Sequence, residues 1–203
     1  MDKKAIRTEV TAKKNALTEE QVQEWSLQLK EKFCGLDVYK EAECIYVYMT
    51  YNKEVQTMPI IEQALADGKR VAAPLTLASG TTLYDDGRPK RDYMEFIYLH
   101  SMDDCVPGYM GIPEPDEELI KNDPSRIADE KNVLILMPGL AFDRNRCRIG
   151  YGGGFYDKYL SQHADTVFTK VALCFDFQMY EEIPTEPHDE KMDMVISPSH
   201  TIG

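Results

Sequence analysis

Apolar residues along this chain recur first at helical spacing and then in short runs rich in branched and aromatic side chains. Ile6, Val10 and Leu17 fall on one face of a helix. Thr18 and Gln21 have the form of a capping box, opening a second helix whose apolar stripe is Val22, Trp25, Leu29 and Phe33 and which Gly35 closes. Trp25 is expected to pack rather than stack on a ligand. Residues 44–49 predict a strand, and a polar turn over 50–57 leads into a helix over 58–66 with Thr57 as N-cap, Pro59 in its first turn and Asp67-Gly68 as its stop. Further strands are predicted over 70–74, 93–99, 133–136, 170–175 and 194–196, and Tyr156, Tyr159, Leu160 and His163 mark one more helix face. Residues 76–90 are expected to be loop, with turns at Ser79-Gly80 and Asp86-Gly87. Residues 117–131 read as a charged connection, and the prolines of 107–115 are expected to exclude regular structure. Strands alternating with helices throughout predict an α/β sandwich with ligands bound beyond the carboxyl ends of the strands. There is no internal repeat or low-complexity segment.

Composition narrows the class without naming it. With 203 residues, 43% hydrophobic and 29% charged, the chain has the makings of a single globular domain over 1–203. Its N-terminus lacks the apolar core of a signal peptide, and no apolar run approaches the roughly 18 residues of a membrane span, so a soluble cytoplasmic protein is expected. Five widely spaced cysteines without a C-x-x-C motif suit reduced thiols rather than a disulfide framework or a zinc site. A net charge of −12 argues against a general nucleic-acid binder. It leaves room for an anionic small ligand, because charges beyond a Debye length of about 8 Å are screened and a local cluster of cations decides what a pocket attracts.

Such clusters occur twice. Lys3, Lys4 and Arg7, followed by Lys13 and Lys14, lie on the first helix, with Lys3 and Arg7 four apart on one face; by default this is a solvated face. The second is residues 137–160, where Gly150, Gly152, Gly153 and Gly154 sit between a predicted strand and a helix start. Glycines permit sharp turns or close approach of a ligand, and helix N-terminal N–H groups favour anions. Arg144, Arg146 and Arg148 add charge nearby. The loop fits neither G-x-G-x-x-G, since Phe155 or Asp157 stands at the third glycine, nor a P-loop, since Phe155-Tyr156 replaces Lys-Ser or Lys-Thr.

Taken whole, this stretch resembles the signature of the 5-formyltetrahydrofolate cyclo-ligase (5,10-methenyltetrahydrofolate synthetase) family, Pro-Gly-x-Ala-Phe-Asp followed by Arg-x-Gly-x-Gly-x-Gly-x-Tyr-Asp. It is met here by Pro138, Gly139, Ala141, Phe142, Asp143, Arg148, Gly150, Gly152, Gly154, Tyr156 and Asp157. The resemblance implies a three-layer α/β/α sandwich with a mixed, largely parallel sheet, of the NagB/RpiA/CoA-transferase type. It also implies an ATP-binding set of Lys3, Lys4, Arg7, Arg148, Gly150, Gly152, Gly153, Gly154 and Tyr156, with Lys3 and Arg148 catalytic. Glu54-Val55 and Thr57 match a Glu-Val-x-Thr element that places the glutamate in the folate pocket, with Met49 as an apolar neighbour. Pro113 and Glu114 match a Gly-Ile-Pro-Glu-Pro element of the substrate cleft; Tyr109, Met110, Tyr151 and Phe155 complete the substrate set. The resemblance assigns magnesium to Asp157 and Asp189, the latter in a His-Asp-x-x-x-Asp run, which suits an ion that takes one or two carboxylates plus phosphate oxygens.

The implied reaction converts 5-formyltetrahydrofolate, possibly polyglutamylated, and ATP into 5,10-methenyltetrahydrofolate, ADP and phosphate. It implies no nucleic-acid or membrane partner and a monomer or small homo-oligomer. Two departures stand out: Arg146 occupies a position where relatives often have glycine, and Tyr151 and Gly153 occupy positions where some have basic residues. A non-catalytic folate- or nucleotide-binding module and a sugar-phosphate isomerase-like enzyme of similar fold are the alternatives. Fold alone does not choose among them.

Overall fold

The computed structural model of the chain describes residues 1–81, 83–84, 89–108, 111–186 and 189–203. Helix α1 (Lys3–Asn15) is capped by Asp2, whose carboxylate accepts from the Ala5 N–H, and buries Ile6, Val10 and Lys14. Helix α2 (Glu19–Cys34) opens on the expected capping box and buries Val22, Leu29 and Phe33. The short helix α3 (Asp37–Glu41) leads to strand β1 (Cys44–Tyr46), then come α4 (Met58–Ala66), β2 (Arg70–Leu77) and β3 (Tyr93–Leu99). A small pair, β4 (Cys105–Pro107) and β5 (Pro113–Pro115), precedes α5 (Glu117–Asn122) and β6 (Asn132–Leu136). The chain ends with β7 (Ala141–Asp143), β8 (Arg148–Ile149), α6 (Phe155–Gln162), β9 (Val167–Leu173), β10 (Met179–Tyr180), β11 (Met194–Ile196) and β12 (Thr201–Ile202).

Seven of these strands form one sheet in the order β12-β11-β9-β6-β1-β2-β3. The five inner strands run parallel and the two edge strands antiparallel to their neighbours. Strands buried on both faces are nearly all apolar, as in β6, whose last four residues are buried hydrophobics, and alternate residues serve opposite faces. Ile45, Val71, Leu134 and Val171 pack beneath α2 and α4 with Leu29, Phe33, Ile60 and Ile61. Cys44, Tyr46, Ala72, Ile135 and Ala172 face the other way, onto Tyr159 and Leu160 of α6. The result is the expected three-layer sandwich. Strands β7, β8 and β10 form a separate small sheet, on which α1 lays Ile6 and Val10 against Leu140, Ala141 and Ile149.

Topology places the crevice. From β1 the chain moves outward to β2, and from β6 it moves the opposite way to β9, so the connections leaving the adjacent carboxyl ends of β1 and β6 diverge. An open α/β sheet binds ligands at such a switch point.

Several expectations are corrected. Residues 107–115 are not free of regular structure: β4 and β5 pair antiparallel, with Val106 opposite Glu114. Prolines 113 and 115 flank Glu114, so the one N–H that β5 offers a ladder belongs to Glu114, and a strand this short tolerates the missing donors. Residues 76 and 77 extend β2 rather than starting a loop, residues 117–122 are helical, and the strand predicted from 170 begins at Val167. Thr57 holds the N-cap position of α4 without a side-chain cap; its hydroxyl donates instead to the Tyr48 carbonyl at 2.7 Å. Gly35 ends α2 in a right-handed conformation. Trp25 packs edge-on against Phe175 at 5.5 Å, as expected. The turn predicted at Asp86-Gly87 lies outside the described residues.

Candidate active site

Above the switch point lies a cavity of about 1080 Å³. One wall is the connection from β6 to α6, a chain of local contacts that sequence alone makes intelligible. Gly139 admits the ring of Phe142, since a Cβ there would sit 2.4 Å from its Cζ. Asp143 is buried and closes the β7–β8 turn: its Oδ1 accepts from the Asn145 and Cys147 N–H groups at 2.9 Å, and its Oδ2 from Ile183 at 3.1 Å. Strand β8 then delivers Arg148, 8% exposed, to the cavity. Its Nη1 donates to the Pro138 carbonyl at 3.0 Å and its Nη2 to Asp157 Oδ1 at 2.6 Å, while its buried Nε has no hydrogen-bond partner among the described residues. Gly150 leaves room for this guanidinium, 3.0 Å from where a Cβ would be. Gly154 caps α6 in the left-handed region at φ 68° with no side-chain cap, so no cap side chain takes up the N–H groups of the first turn of α6 beside the cavity.

Helix α1 forms the next wall. Lys3, Lys4 and Arg7 all line the cavity. Arg7 Nε donates to the Gly150 carbonyl at 2.9 Å, tying the helix to the glycine loop. Lys3 Nζ lies 2.7 Å from Asp189 and 3.5 Å from Glu186. Arg144 and Arg146, counted above with the anion-attracting cations, do not line the cavity. Arg144 pairs with Glu181 at 2.8 Å, and Arg146 donates to the Asp193 carbonyl at 3.2 Å, because the hairpin turn carries both to its far end.

The opposite wall is acidic and aromatic. Glu54 is buried, with Oε2 accepting from the Tyr51 N–H at 2.8 Å and Oε1 from the Tyr151 hydroxyl at 2.5 Å. Tyr151 in turn accepts from Lys14 Nζ at 2.6 Å. Burial pushes the Glu54 carboxyl above its ordinary value, opposed by the charge of Lys14 and the hydrogen bonds from Tyr151 and Tyr51. Burial likewise lowers Lys14. Met49, Phe155 and Tyr156 supply apolar surface; the buried Tyr156 hydroxyl is raised by desolvation and has no partner among the described residues.

Glu114 reaches the cavity from β5, pinned by Arg91 at 2.5 Å. Gly108 makes this possible, because a Cβ there would lie 2.1 Å from the Glu114 Cδ. Asp157 and Asp189 both line the cavity. Among the described residues no group of three or more His, Cys, Asp or Glu could hold an ion by itself. Two carboxylates beside a cationic, glycine-rich wall fit a magnesium ion that keeps waters and arrives with phosphate oxygens rather than one caged by protein.

One cavity therefore gathers every described residue of the expected sets: Lys3, Lys4, Arg7, Met49, Glu54, Glu114, Arg148, the four loop glycines, Tyr151, Phe155, Tyr156, Asp157 and Asp189. Tyr109 and Met110 lie outside the described residues. Sequence reasoning missed Tyr48, Tyr51, Thr76 and Glu186 on the cavity wall, and Lys14 and Arg91 behind it. Lys14 left a signal: it stands four after Val10 on the apolar stripe of α1 and seven after Arg7. Arg91 left none. No described helix is long and apolar enough to cross a membrane.

Comparison with known proteins gives consistent results. The model of the 5-formyltetrahydrofolate cyclo-ligase family matches residues 1–198. The chain is 28% identical over 192 residues to a 5-formyltetrahydrofolate cyclo-ligase of Escherichia coli strain K12, covering 94% of this chain and 97% of that one. It is 27% identical over 200 residues to the mouse (Mus musculus) cyclo-ligase, covering 96% and 92%. Its fold is similar to that of the Aquifex aeolicus 5,10-methenyltetrahydrofolate synthetase solved by NMR, with TM-score 0.74 and 24% identity over 100% of this chain and 92% of that one. It is also similar to that of a 5,10-methenyltetrahydrofolate synthetase from Mycoplasma pneumoniae, with TM-score 0.65 and 21% identity over 97% and 98%.

Proposed function

The chain belongs to the 5-formyltetrahydrofolate cyclo-ligase family and is an enzyme of the ligase class, and from that premise we propose that it converts 5-formyltetrahydrofolate to 5,10-methenyltetrahydrofolate at the expense of ATP. The observation that carries the proposal is the single cavity in which a cationic, glycine-lined wall faces a buried acid and aromatic surface. Its volume of about 1080 Å³ stands at the upper end of usual ligand pockets, in keeping with two substrates that must meet.

The N5 formyl group is an amide, and its oxygen is a poor leaving group. Transfer of the γ-phosphoryl group to that oxygen makes it a good one; N10 of the same molecule then attacks the formyl carbon, closing the ring with loss of its proton to solvent, and phosphate departs with the former formyl oxygen. Protein acts here mainly by placing the groups and stabilising spread negative charge. Arg148 is suited to the transferring phosphoryl group, since its Nε has no hydrogen-bond partner among the described residues while Pro138 and Asp157 fix its plane. Lys3, Lys4 and Arg7 line the cavity from α1 and would take the triphosphate, with the backbone of residues 150–154 offering N–H groups beside the first turn of α6. Asp157 and Asp189 would hold magnesium, which when bound neutralises phosphate charge. Glu54, with Met49, Tyr151 and Phe155, would seat the folate, and Glu114 would border it.

The test is near-ultraviolet absorbance of the protein with 5-formyltetrahydrofolate and magnesium chloride, with and without ATP, since the conjugated methenyl product absorbs where the substrate does not. An ATP-dependent rise, abolished by chelation and reduced about 100-fold or more in Arg148→Ala, is expected. A flat trace with folate binding intact would replace the proposal with a non-catalytic binding module.

A further inference from the structure

Lys14 is buried on the same stripe of α1 as Ile6 and Val10, where a hydrocarbon side chain would pack without penalty. A buried ammonium is costly unless it is paired. Its hydrogen-bond partner is the Tyr151 hydroxyl, 2.6 Å away, and that hydroxyl is 2.5 Å from Glu54 Oε1. The order of protons along this chain is forced. An ammonium has no lone pair, so the tyrosine must accept from Lys14, and its one hydrogen is then left for Glu54. The second carboxylate oxygen receives the Tyr51 N–H at 2.8 Å. Both oxygens of Glu54 thus face donors, an arrangement that favours the carboxylate over the carboxylic acid. The three residues come from α1, the loop after β1 and the glycine loop, so this is tertiary placement and not a local turn.

Building on the function proposed above, we propose that Lys14 and Tyr151 are positioning residues that keep Glu54 a correctly aimed anion, ready to accept hydrogen bonds from the N–H-rich edge of the bound folate's pterin. The balance of forces on Glu54 fits that role. Burial favours its protonated form, and Lys14, the Tyr151 hydroxyl and the Tyr51 N–H act against burial. Two further described groups couple to its charge, the phenols of Tyr48 after β1 and Tyr156 of α6, both held neutral by burial. Lys14 is therefore the one cation among the described groups that offsets the desolvation of Glu54. Tyr151, 45% exposed as a residue, conducts that influence while lining the cavity.

The experiment has an arm that needs no turnover. Glutamate side chains are labelled with carbon-13 at the carboxyl, the Glu54 signal is assigned with Glu54→Gln, and its titration is followed in the ligand-free wild-type chain, in Lys14→Met and in Tyr151→Phe. An upward shift of the midpoint by about one pH unit in either variant is expected, equivalent to a tenfold change in proton affinity. In steady state the KM for 5-formyltetrahydrofolate should rise about tenfold with the KM for ATP unchanged, the acid limb of kcat/KM should move to higher pH by the same amount, and Lys14→Arg should recover part of the loss. An unmoved Glu54 titration would overturn the proposal. So would a shifted titration without a selective rise in the folate KM, or a parallel rise of both KM values with a lowered melting temperature, which marks a packing role. Absence of turnover in the wild type would instead defeat the assigned reaction, with the carboxylate titration still deciding whether the linkage exists.

Discussion

Single residues set the finest features of this site. Arg146 occupies the left-handed region at φ 65°, which costs a side-chain-bearing residue about 1–2 kcal/mol, and it stands where the family resemblance led one to expect glycine. Its backbone is engaged on both sides: its N–H donates to the Asp143 carbonyl at 3.0 Å and its carbonyl accepts from Met192 at 2.9 Å. The turn is therefore kept, with its conformation imposed on an arginine. Arg146→Gly should relieve the strain at the cost of about 0.5–1 kcal/mol of extra chain entropy, leaving stability in urea within about 1 kcal/mol of wild type. Turnover should be unaffected, because Arg146 does not line the cavity. A large drop in rate would return Arg146 to the active site. Lys14 teaches the opposite lesson. Its position on the apolar stripe of α1 was visible in the spacing, but a lysine there has the default meaning of a solvated face, and only its burial at 4% exposure reverses that meaning.

Elements position these residues by close approach. The β7–β8 hairpin can follow β6 this closely because Gly139 makes room for the fully buried Phe142 ring. Gly139→Ala would drive a Cβ to 2.4 Å from that ring, and a ring in the core cannot swing aside as an exposed side chain would. A loss of about 1–3 kcal/mol is expected, seen as a melting temperature lower by several degrees, and a melt matching wild type would mean that the hairpin shifts freely. Hairpin β4–β5 shows why pattern reasoning failed there. Its sequence carries prolines that forbid interior strand positions, yet a three-residue pair with its remaining donors correctly phased still forms, and it carries Glu114 to the cavity past Gly108. Proline reports the donors that are missing; it does not report how few a short pair requires.

At the scale of the whole molecule, remote segments are fastened by hydrogen-bonded carboxylates, Asp104 half-buried and Asp176 exposed. Burial raises Asp104, but the His100 N–H and the Arg126 guanidinium outweigh it and hold the group below the ordinary carboxylate range. Burial similarly raises Asp176, outweighed by the hydroxyls of Ser197 and Ser199 and the Ser199 N–H. A carboxylate depressed in the folded state binds fewer protons there than in the unfolded chain. Its contribution is then complete above the unfolded value of about 3.9 and is lost as pH falls through the lower folded value. Urea midpoints should therefore fall below about pH 4, and Asp104→Asn and Asp176→Asn should each be destabilised at pH 7 and approach wild type near pH 3. Equal deficits at both pH values would show that the carboxylate charge is not what fastens these segments. The sequence by itself determined the layers, since a period near 2 or 3.6 in apolar residues is a local property, and it determined the hairpin that holds Arg148, since Asp143 with Asn145 and Cys147, and Arg148 with Pro138 and Asp157, are near neighbours along the chain. What only the tertiary structure decided is which distant partners meet: Lys3 with Asp189, Arg91 with Glu114, and Lys14 through Tyr151 with Glu54. Each hydrogen-bonded link is brought within 3 Å by packing helices and loops around one sheet, and no spacing along a chain encodes a distance that exists only after that sheet has formed.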